Sequence, residues 1–275
     1  MRPALQTENQ PIDAVPTGLI DAPLQAAKVA SRTLGQATTA TKDAALAAIA
    51  DALIENTARI IAANADDLAR GEEAGLSTGL LDRLRLDESR VSALAAAVRD
   101  VIALPDPVGS VVRGSTLPNG VLLSQVRVPF GVVGAIYEAR PNVTVDIAAL
   151  ALKSGNAAVL RGGSAARSSN EMLVAIIQEA LTTAGLPADA VQTIDEHGRA
   201  GATALMRARG FIDVLIPRGS ADLIQTVVRE STVPVIETGA GVVHILLDES
   251  ADEQMAIDIV HNAKVQRPSV CNAVE

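Results

Sequence analysis

From residue 130 to residue 263, short apolar runs rich in Val, Ile and Ala alternate with segments of helical periodicity. Short continuous apolar runs are typical of strands that are buried on both faces, as in a parallel sheet. The alternation predicts a mostly parallel, doubly wound α/β sheet. The predicted strands are 130–138, 157–162, 191–194, 211–217, 233–238 and 242–248. The predicted helices are 141–153, 166–184, 199–208, 220–230 and 251–263.

The preceding region of the chain has a different pattern. Between residues 22 and 104 apolar side chains recur near a 3.6-residue period, and Pro105 ends the pattern. This predicts an N-terminal cap of several helices. Two β-rich runs, 111–116 and 121–128, then flank the sequence Leu-Pro-Asn-Gly. Because Asn-Gly favours tight hairpin turns, we expect a β-hairpin arm here.

Charge and composition exclude several classes of protein. The 23 basic and 32 acidic residues give a net charge of −9, which disfavours nucleic acid and anionic membranes as partners. No apolar run approaches the roughly 20 residues that span a bilayer, and the N-terminus lacks the apolar core of a signal peptide. We therefore expect a cytoplasmic protein. The single cysteine excludes an intramolecular disulfide, and His197, His244 and His261 lack metal-ligand spacing, so we interpret them as structural.

A doubly wound sheet predicts a nucleotide site at the carboxyl ends of its strands, although the usual G-x-G-x-x-G fingerprint is missing. The nearest candidates are Arg161-Gly162-Gly163-Ser164 and Arg218-Gly219-Ser220, each between a predicted strand and a predicted helix. Small residues at a helix N-terminus suit phosphate binding through backbone N–H groups. Tight turns explain such glycines equally well, so the spacing alone leaves both readings open.

Four long blocks carry a resemblance to a known family. They are VPFGVVGAIYEARPNVTVDIAALALKSGNAAVLRGGSAARSSN at 128–170, PRGSADLI at 217–224, VPVIETGAGVVHILLDESAD at 233–252 and HNAKVQRPSVCNAVE at 261–275. The chain resembles the γ-glutamyl phosphate reductases, a branch of the aldehyde dehydrogenase superfamily. The resemblance implies NADPH-dependent reduction of L-glutamyl 5-phosphate to L-glutamate 5-semialdehyde with release of phosphate, a step of proline biosynthesis.

The resemblance also implies roles for three catalytic residues. Cys271 matches the nucleophile that forms a thioester, whereas by itself a lone cysteine could be a small core residue. Asn142 matches an oxyanion-hole donor, and a helix N-cap is the alternative reading. Glu237 matches the glutamate that activates water in aldehyde-oxidising relatives. Because hydrolysis would waste this substrate, Glu237 could instead line the nicotinamide pocket or assist protonation.

Other residues are assigned to ligands in the same way. Arg140 and Arg267 are the expected anion contacts, because a guanidinium binds an oxyanion in bidentate fashion, and Lys264 is a weaker candidate. Glu138 could meet the substrate ammonium group or pair with an arginine. The residues expected to bind NADPH are Arg161, Gly162, Ser164, Arg167, Gly219 and Ser220.

The expected organisation has four regions. Residues 1–108 form the helical region of the cofactor domain, 109–129 the oligomerisation arm, 130–238 the Rossmann-like region, and 239–275 the start of a catalytic domain. Family members run well past residue 275, so we expect the catalytic domain to be incomplete. The implied partners are the small-molecule substrate, further copies of the chain when full length, and glutamate 5-kinase. Two alternatives remain open: an inactive NADP-binding fragment, and another oxidoreductase of the superfamily.

Overall fold

Five helices open the fold in the computed structural model, which describes residues 18–138, 140–239, 241–266 and 273–274. They are α1 (Asp21–Leu34), α2 (Thr39–Glu55), α3 (Thr57–Glu73), α4 (Thr78–Leu84) and α5 (Glu88–Ala103). Side chains fix two of the helix starts, since Thr38 accepts a hydrogen bond from the Thr41 N–H and Asp87 accepts one from the Arg90 N–H. The predicted helical cap is confirmed.

A two-stranded antiparallel hairpin follows, formed by β1 (Val111–Thr116) and β2 (Leu122–Val126). All residues of both strands are exposed to solvent. In the turn, the Leu117 N–H donates to the Val121 carbonyl at 2.8 Å, and Gly120 has a φ of +84°, a conformation that favours glycine. The Asn-Gly sequence therefore predicted the hairpin correctly.

The centre of the fold is a four-stranded parallel sheet. Its strands are β3 (Val132–Tyr137), β4 (Ala157–Arg161), β5 (Val191–Thr193) and β6 (Val214–Arg218). Their order across the sheet is β5-β4-β3-β6, and all three pairings are parallel. Every residue of β3 is buried, as the continuous apolar run predicted. The expectation of a doubly wound α/β fold is confirmed.

Helices connect these strands and bury them. In chain order they are α6 (Pro141–Lys153), α7 (Arg167–Thr183), α8 (Gly198–Met206) and α9 (Ala221–Glu230). Both α1 and α6 pack on β3 and β4, while α2 and α3 pack on α7, so the helical cap and the sheet share one aliphatic core. Within the described ranges, no helix is both long and apolar enough to cross a membrane.

The residues from Glu237 onward form a second compact unit. Its described residues include one helix, α10 (Glu253–Val265), in which no residue is buried. The prediction of a strand at 242–248 is wrong, and the predicted strand 233–238 is reduced to a single bridge between Leu215 and Val235. A strand is stabilised by hydrogen bonds to a neighbour. None of the described residues offers residues 242–248 such a neighbour.

A buried ion pair ties the start of α2 to the segment before the hairpin. Lys42 is 1% exposed, and its Nζ lies 2.6 Å from Asp106 Oδ2. The Thr39 hydroxyl and the Val108 N–H also donate to Asp106. Burial by itself raises the pKa of Asp106, but hydrogen bonds from Lys42 and Thr39 outweigh it and lower the pKa to about 2.

We expect this carboxylate to make folding stability depend on pH. Since the folded-state pKa lies below the unfolded value of about 3.9, the contribution is present above about pH 4 and is lost as pH falls towards about 2. It amounts to about 3 kcal/mol. Urea unfolding of the wild type and Asp106→Asn should give free-energy curves that converge over this interval. Curves that stay parallel between pH 5 and pH 2 would contradict the assignment; exposed Asp100→Asn serves as the control.

Candidate active site

The strand order reverses between β3 and β6, which is the position where open α/β sheets bind ligands at their carboxyl edge. The ends of these two strands are joined there. The Glu138 N–H donates to the Arg218 carbonyl at 3.2 Å, and the Ser220 hydroxyl donates to Glu138 Oε1 at 2.5 Å. The strand ends thus hold Ser220, at the start of α9, directly beside Glu138.

A cavity of about 850 Å³ lies against β3, β6 and α6. Its wall is largely apolar, with Val133, Val214 and Ile216 from the sheet and aliphatic residues from α6. The charged residues that line it are Arg127, Arg140, Asp146 and Arg218. The cavity therefore carries a formal charge of +2 inside a chain of net charge −9. Such a local excess of positive charge suits an anionic ligand.

Asn142 reaches this cavity from the first turn of α6. Pro141 occupies the first helical position, where its missing N–H costs nothing, and Arg140 is the N-cap residue. Asn142 therefore lies inside the helix, so the alternative reading of Asn142 as an N-cap is wrong. Its side chain is exposed, and its Nδ2 donates to Asp146 Oδ2 at 3.3 Å. Among the described residues this is its one side-chain hydrogen bond.

The neighbouring Asp146 is half-buried in the same cavity wall. Burial raises the pKa of its carboxyl group, while the hydrogen bond from Asn142 and the positive charge of Arg218 act in the opposite direction. Sequence reasoning missed both Asp146 and the side chain of Arg218. The four-residue spacing from Asn142 on a predicted helix could have identified Asp146, because residues four apart share a helix face.

The residues expected at the cofactor follow β4 and β6. Arg161 ends β4 and donates from Nε to the Gly198 carbonyl at 3.2 Å. Arg167 is exposed and donates from Nε to Glu171 at 2.7 Å. Ser164 is exposed in a short 3-10 turn before α7. Since β4 and β6 both flank β3 in the same direction, these residues and Ser220 share one edge of the sheet.

A buried chain of polar groups supports this edge. The Tyr137 hydroxyl bonds to Thr144, the Thr144 hydroxyl donates to Asn170, and Asn170 Nδ2 donates to Asp195, all within 2.7–2.8 Å. The Gly162 N–H donates to the other Asp195 oxygen at 2.6 Å. Burial raises the pKa values of both Asp195 and Tyr137. No spacing in the sequence reveals this network, because Thr144, Asn170 and Asp195 are 25 or more residues apart.

The same network of buried polar groups explains why residue 162 is a glycine. A Cβ atom there would press on Asn170, Asp195 and Tyr137, so the position needs glycine to admit the polar groups. Gly219 is constrained in a similar way, since a Cβ atom would lie 2.7 Å from Glu138 Cδ. Both glycines therefore have a packing role. Of the two, Gly162 also has its N–H bound to a carboxylate.

The N-terminus of α7 is also occupied. Asp67, which is completely buried, accepts hydrogen bonds from the Ser168 N–H at 3.0 Å, the Ser169 N–H at 2.8 Å and the Ser169 hydroxyl at 2.6 Å. These are the N–H groups that an anion would use at a helix start. At the start of α9 the Ser220 hydroxyl accepts the Leu223 N–H at 3.4 Å, a long hydrogen bond, so of the two glycine-containing turns this one is the better candidate for a phosphate group.

Four predicted site residues lie in the second unit or outside the described ranges. Glu237 is exposed in the second unit, and Lys264 of the same unit donates to the Val274 carbonyl at 3.4 Å. His244 and His261, interpreted above as structural, are also exposed there. Cys271 and Arg267 lie outside the described residues. Within the described ranges, no group of three or more His, Cys, Asp or Glu side chains could hold a metal ion.

Known proteins similar to the chain are named as reductases. It is 70% identical over 250 residues to γ-glutamyl phosphate reductase of Leifsonia xyli, covering 91% of the chain and 59% of the relative. It is 66% identical to the Clavibacter michiganensis protein of the same name, covering 96% and 61%. The crystal structure of γ-glutamyl phosphate reductase from Thermotoga maritima matches with a TM-score of 0.88 at 42% identity, covering 94% and 62%.

These matches confirm the resemblance that the four sequence blocks predicted. The chain spans about 60% of the length of the curated relatives. The family model described as "Aldehyde dehydrogenase family" matches residues 1–275, and the chain therefore belongs to the aldehyde dehydrogenase family.

Proposed function

We propose that the chain belongs to a γ-glutamyl phosphate reductase, which reduces L-glutamyl 5-phosphate to L-glutamate 5-semialdehyde with NADPH and releases phosphate. The observation that carries the proposal is the cavity beside the β3–β6 switch point, which Asn142 lines together with Arg140, Arg218 and Asp146. The curated relatives named as this enzyme, at 66–70% identity, support it.

The charges of the cavity are opposite in sign to those of the substrate. An acyl phosphate carries close to two negative charges at neutral pH, and the amino-acid end adds one carboxylate and one ammonium group. The substrate thus presents about three negative charges and one positive charge. At the carboxyl ends of β3 and β6 the cavity presents the guanidinium groups of Arg140 and Arg218 and the carboxylate of Asp146, while Arg127 lies before β3. Because a guanidinium binds carboxylate and phosphate oxygens in bidentate fashion, Arg140 and Arg218 are suited to the anionic groups.

The reaction places negative charge on one oxygen atom twice. Attack by a thiolate on the acyl carbon gives a tetrahedral oxyanion, which collapses to a thioester as phosphate leaves. Reduction of the thioester places charge on the same oxygen again. An amide N–H held at a helix start can stabilise that charge, and we assign this role to Asn142. We assign the thiolate to Cys271, which the resemblance identifies.

The residues of the carboxyl edge fit a dinucleotide. Asp67 fills the start of α7, whereas the Leu223 N–H in the first turn of α9 makes one long hydrogen bond, of 3.4 Å, to Ser220 Oγ. We therefore place the pyrophosphate near Gly219 and Ser220, and the 2′-phosphate near Arg161, Ser164 and Arg167. The bound nicotinamide would supply the hydride. The network of polar groups behind Gly162 connects the end of β3, through Tyr137, with the residue after β4, and so fixes the position of both strand ends.

The remaining assignments follow the family. We place Arg267 at the substrate anion and Glu237 at the nicotinamide pocket. The solvent-exposed strands β1 and β2 suit pairing with another copy of the chain, so we propose residues 109–129 as the oligomerisation arm. Residues 239–275 would then begin the catalytic domain, after the helical region (residues 1–108) and the Rossmann-like region (residues 130–238).

The reverse reaction tests the proposal. L-glutamate 5-semialdehyde, NADP⁺ and inorganic phosphate should give an increase in absorbance at the NADPH band, and omission of phosphate should abolish it. Cys271→Ala, the matched control for the nucleophile, should be inactive while retaining NADPH binding. Reduction that proceeds without phosphate would contradict the proposal and favour another oxidoreductase of the superfamily. NADPH binding without turnover would instead identify an NADP-binding fragment.

A further inference from the structure

Asp146 is an unexpected residue for a cavity that binds an anion. It supplies the one carboxylate among the described residues that line the cavity, and it faces Arg218 closely enough for that charge to act on it. A half-buried carboxylate loses hydration, so a protein that merely needed to attract anions would gain from an apolar residue here. The position suits a cationic or hydrogen-bond-donating ligand group.

We propose that Asp146 binds the α-ammonium group of the amino-acid substrate and makes the site select an α-amino acyl chain over an unsubstituted one. This inference rests on the proposed function. The Asp146 contact would distinguish a glutamyl group from a simple dicarboxylic acyl group.

The spacing along α6 agrees with the size of the substrate. Asn142 and Asp146 lie four residues apart, which is about 6 Å of helix rise. In a glutamyl group, the α-nitrogen is four bonds from the acyl carbon, which is about 5 Å when the chain is extended. An acyl oxygen at the Asn142 amide therefore places the ammonium group within reach of the Asp146 carboxylate.

The contacts of the free protein leave room for both substrate groups. Asn142 Nδ2 donates to Asp146 Oδ2 at 3.3 Å, a long hydrogen bond. An amide nitrogen carries two N–H groups, so the second can bind the substrate acyl oxygen while the first stays with Asp146. The ammonium group then gives the half-buried Asp146 carboxylate a charge-assisted bond that the described residues of the free protein do not provide.

Glu138 is the other carboxylate near the switch point, and its contacts favour a role in joining the ends of β3 and β6 over a contact with the substrate. Its side chain accepts the Ser220 hydroxyl at 2.5 Å. It is absent from the residues that line the cavity. Asp146, in contrast, lines the cavity on the same helix face as Asn142.

Binding of L-glutamate and of glutarate tests the inference, because these two dicarboxylates differ in the α-ammonium group alone. Isothermal titration calorimetry on the full chain should show L-glutamate binding roughly 10- to 100-fold more tightly than glutarate. Asp146→Asn should reduce that ratio to near one, whereas Asp146→Glu should retain part of it. Exposed Asp100→Asn, outside the cavity, should keep the wild-type ratio.

The outcomes separate this inference from the proposed function. A ratio that survives in Asp146→Asn, or a wild-type chain without preference for L-glutamate, would overturn the ammonium contact. Phosphate-dependent NADP⁺ reduction could still succeed in that case, and the proposed function would stand. Thermal unfolding of each variant shows whether the fold is retained, and the Asp146→Glu ratio decides the question if Asp146→Asn unfolds.

Discussion

Replacing Asn142 with alanine is expected to lower kcat of the phosphate-dependent reaction by about 100- to 1000-fold, the usual cost of one oxyanion-hole donor. The fold should be almost unaffected. The side chain is exposed to the cavity, does not cap α6, and makes one hydrogen bond of 3.3 Å to Asp146. Its removal therefore leaves no buried donor or acceptor unsatisfied apart from a half-buried carboxylate.

Steady-state kinetics would show whether the lost interaction belongs to the transition state. If Asn142 acts on the developing oxyanion, kcat and kcat/KM should fall by similar factors and KM should change little. Asn142→Asp is the matched second variant, since it keeps the shape and removes the donor. A loss below tenfold in both variants, or a drop in the unfolding midpoint large enough to explain the lost activity, would contradict the assignment.

Local signals in the sequence predicted the elements that form the site. Helix α6 has the predicted bounds of residues 141 and 153, because Pro141 favours a first helical position and Gly155, with a φ of +75°, ends the helix. The hairpin was equally predictable from Asn119-Gly120. Residues 242–248 were not, since their β-rich composition says nothing about whether a neighbouring strand is present.

The side chains that meet in space were harder to predict. Arg218 was named only as part of a turn before Gly219, yet it lines the cavity with Asp146 from a different element. Arg218 and Asp146 come together because β6 lies beside β3. The sequence of each strand does not say which strand will be its neighbour. Similarly, the two glycine-containing turns after β4 and β6 look alike in sequence. The structure shows the difference, because α3 packs against α7 and its Asp67 accepts the N–H groups after the first of these turns.

Replacing Asp67 with alanine is expected to destabilise the fold by about 3–5 kcal/mol, the cost of breaking a buried, charge-paired group. Asp67 is completely buried, pairs with Arg70, and accepts the Ser168 and Ser169 N–H groups and the Ser169 hydroxyl. Alanine would leave these donors without a partner and remove a negative charge from the start of α7. Since α7 packs on α2, α3 and β5, its first turn supports much of the core.

Urea unfolding followed by circular dichroism measures this effect, and the chain provides a matched control in the adjacent residue. Asp66 is the same residue type on the same helix but is exposed, so Asp66→Ala should change the unfolding free energy by less than about 0.5 kcal/mol. A similar small change for Asp67→Ala would show that water replaces the carboxylate at the α7 start. That start would then be open to anions, and the pyrophosphate assignment to the start of α9 would lose its main structural argument.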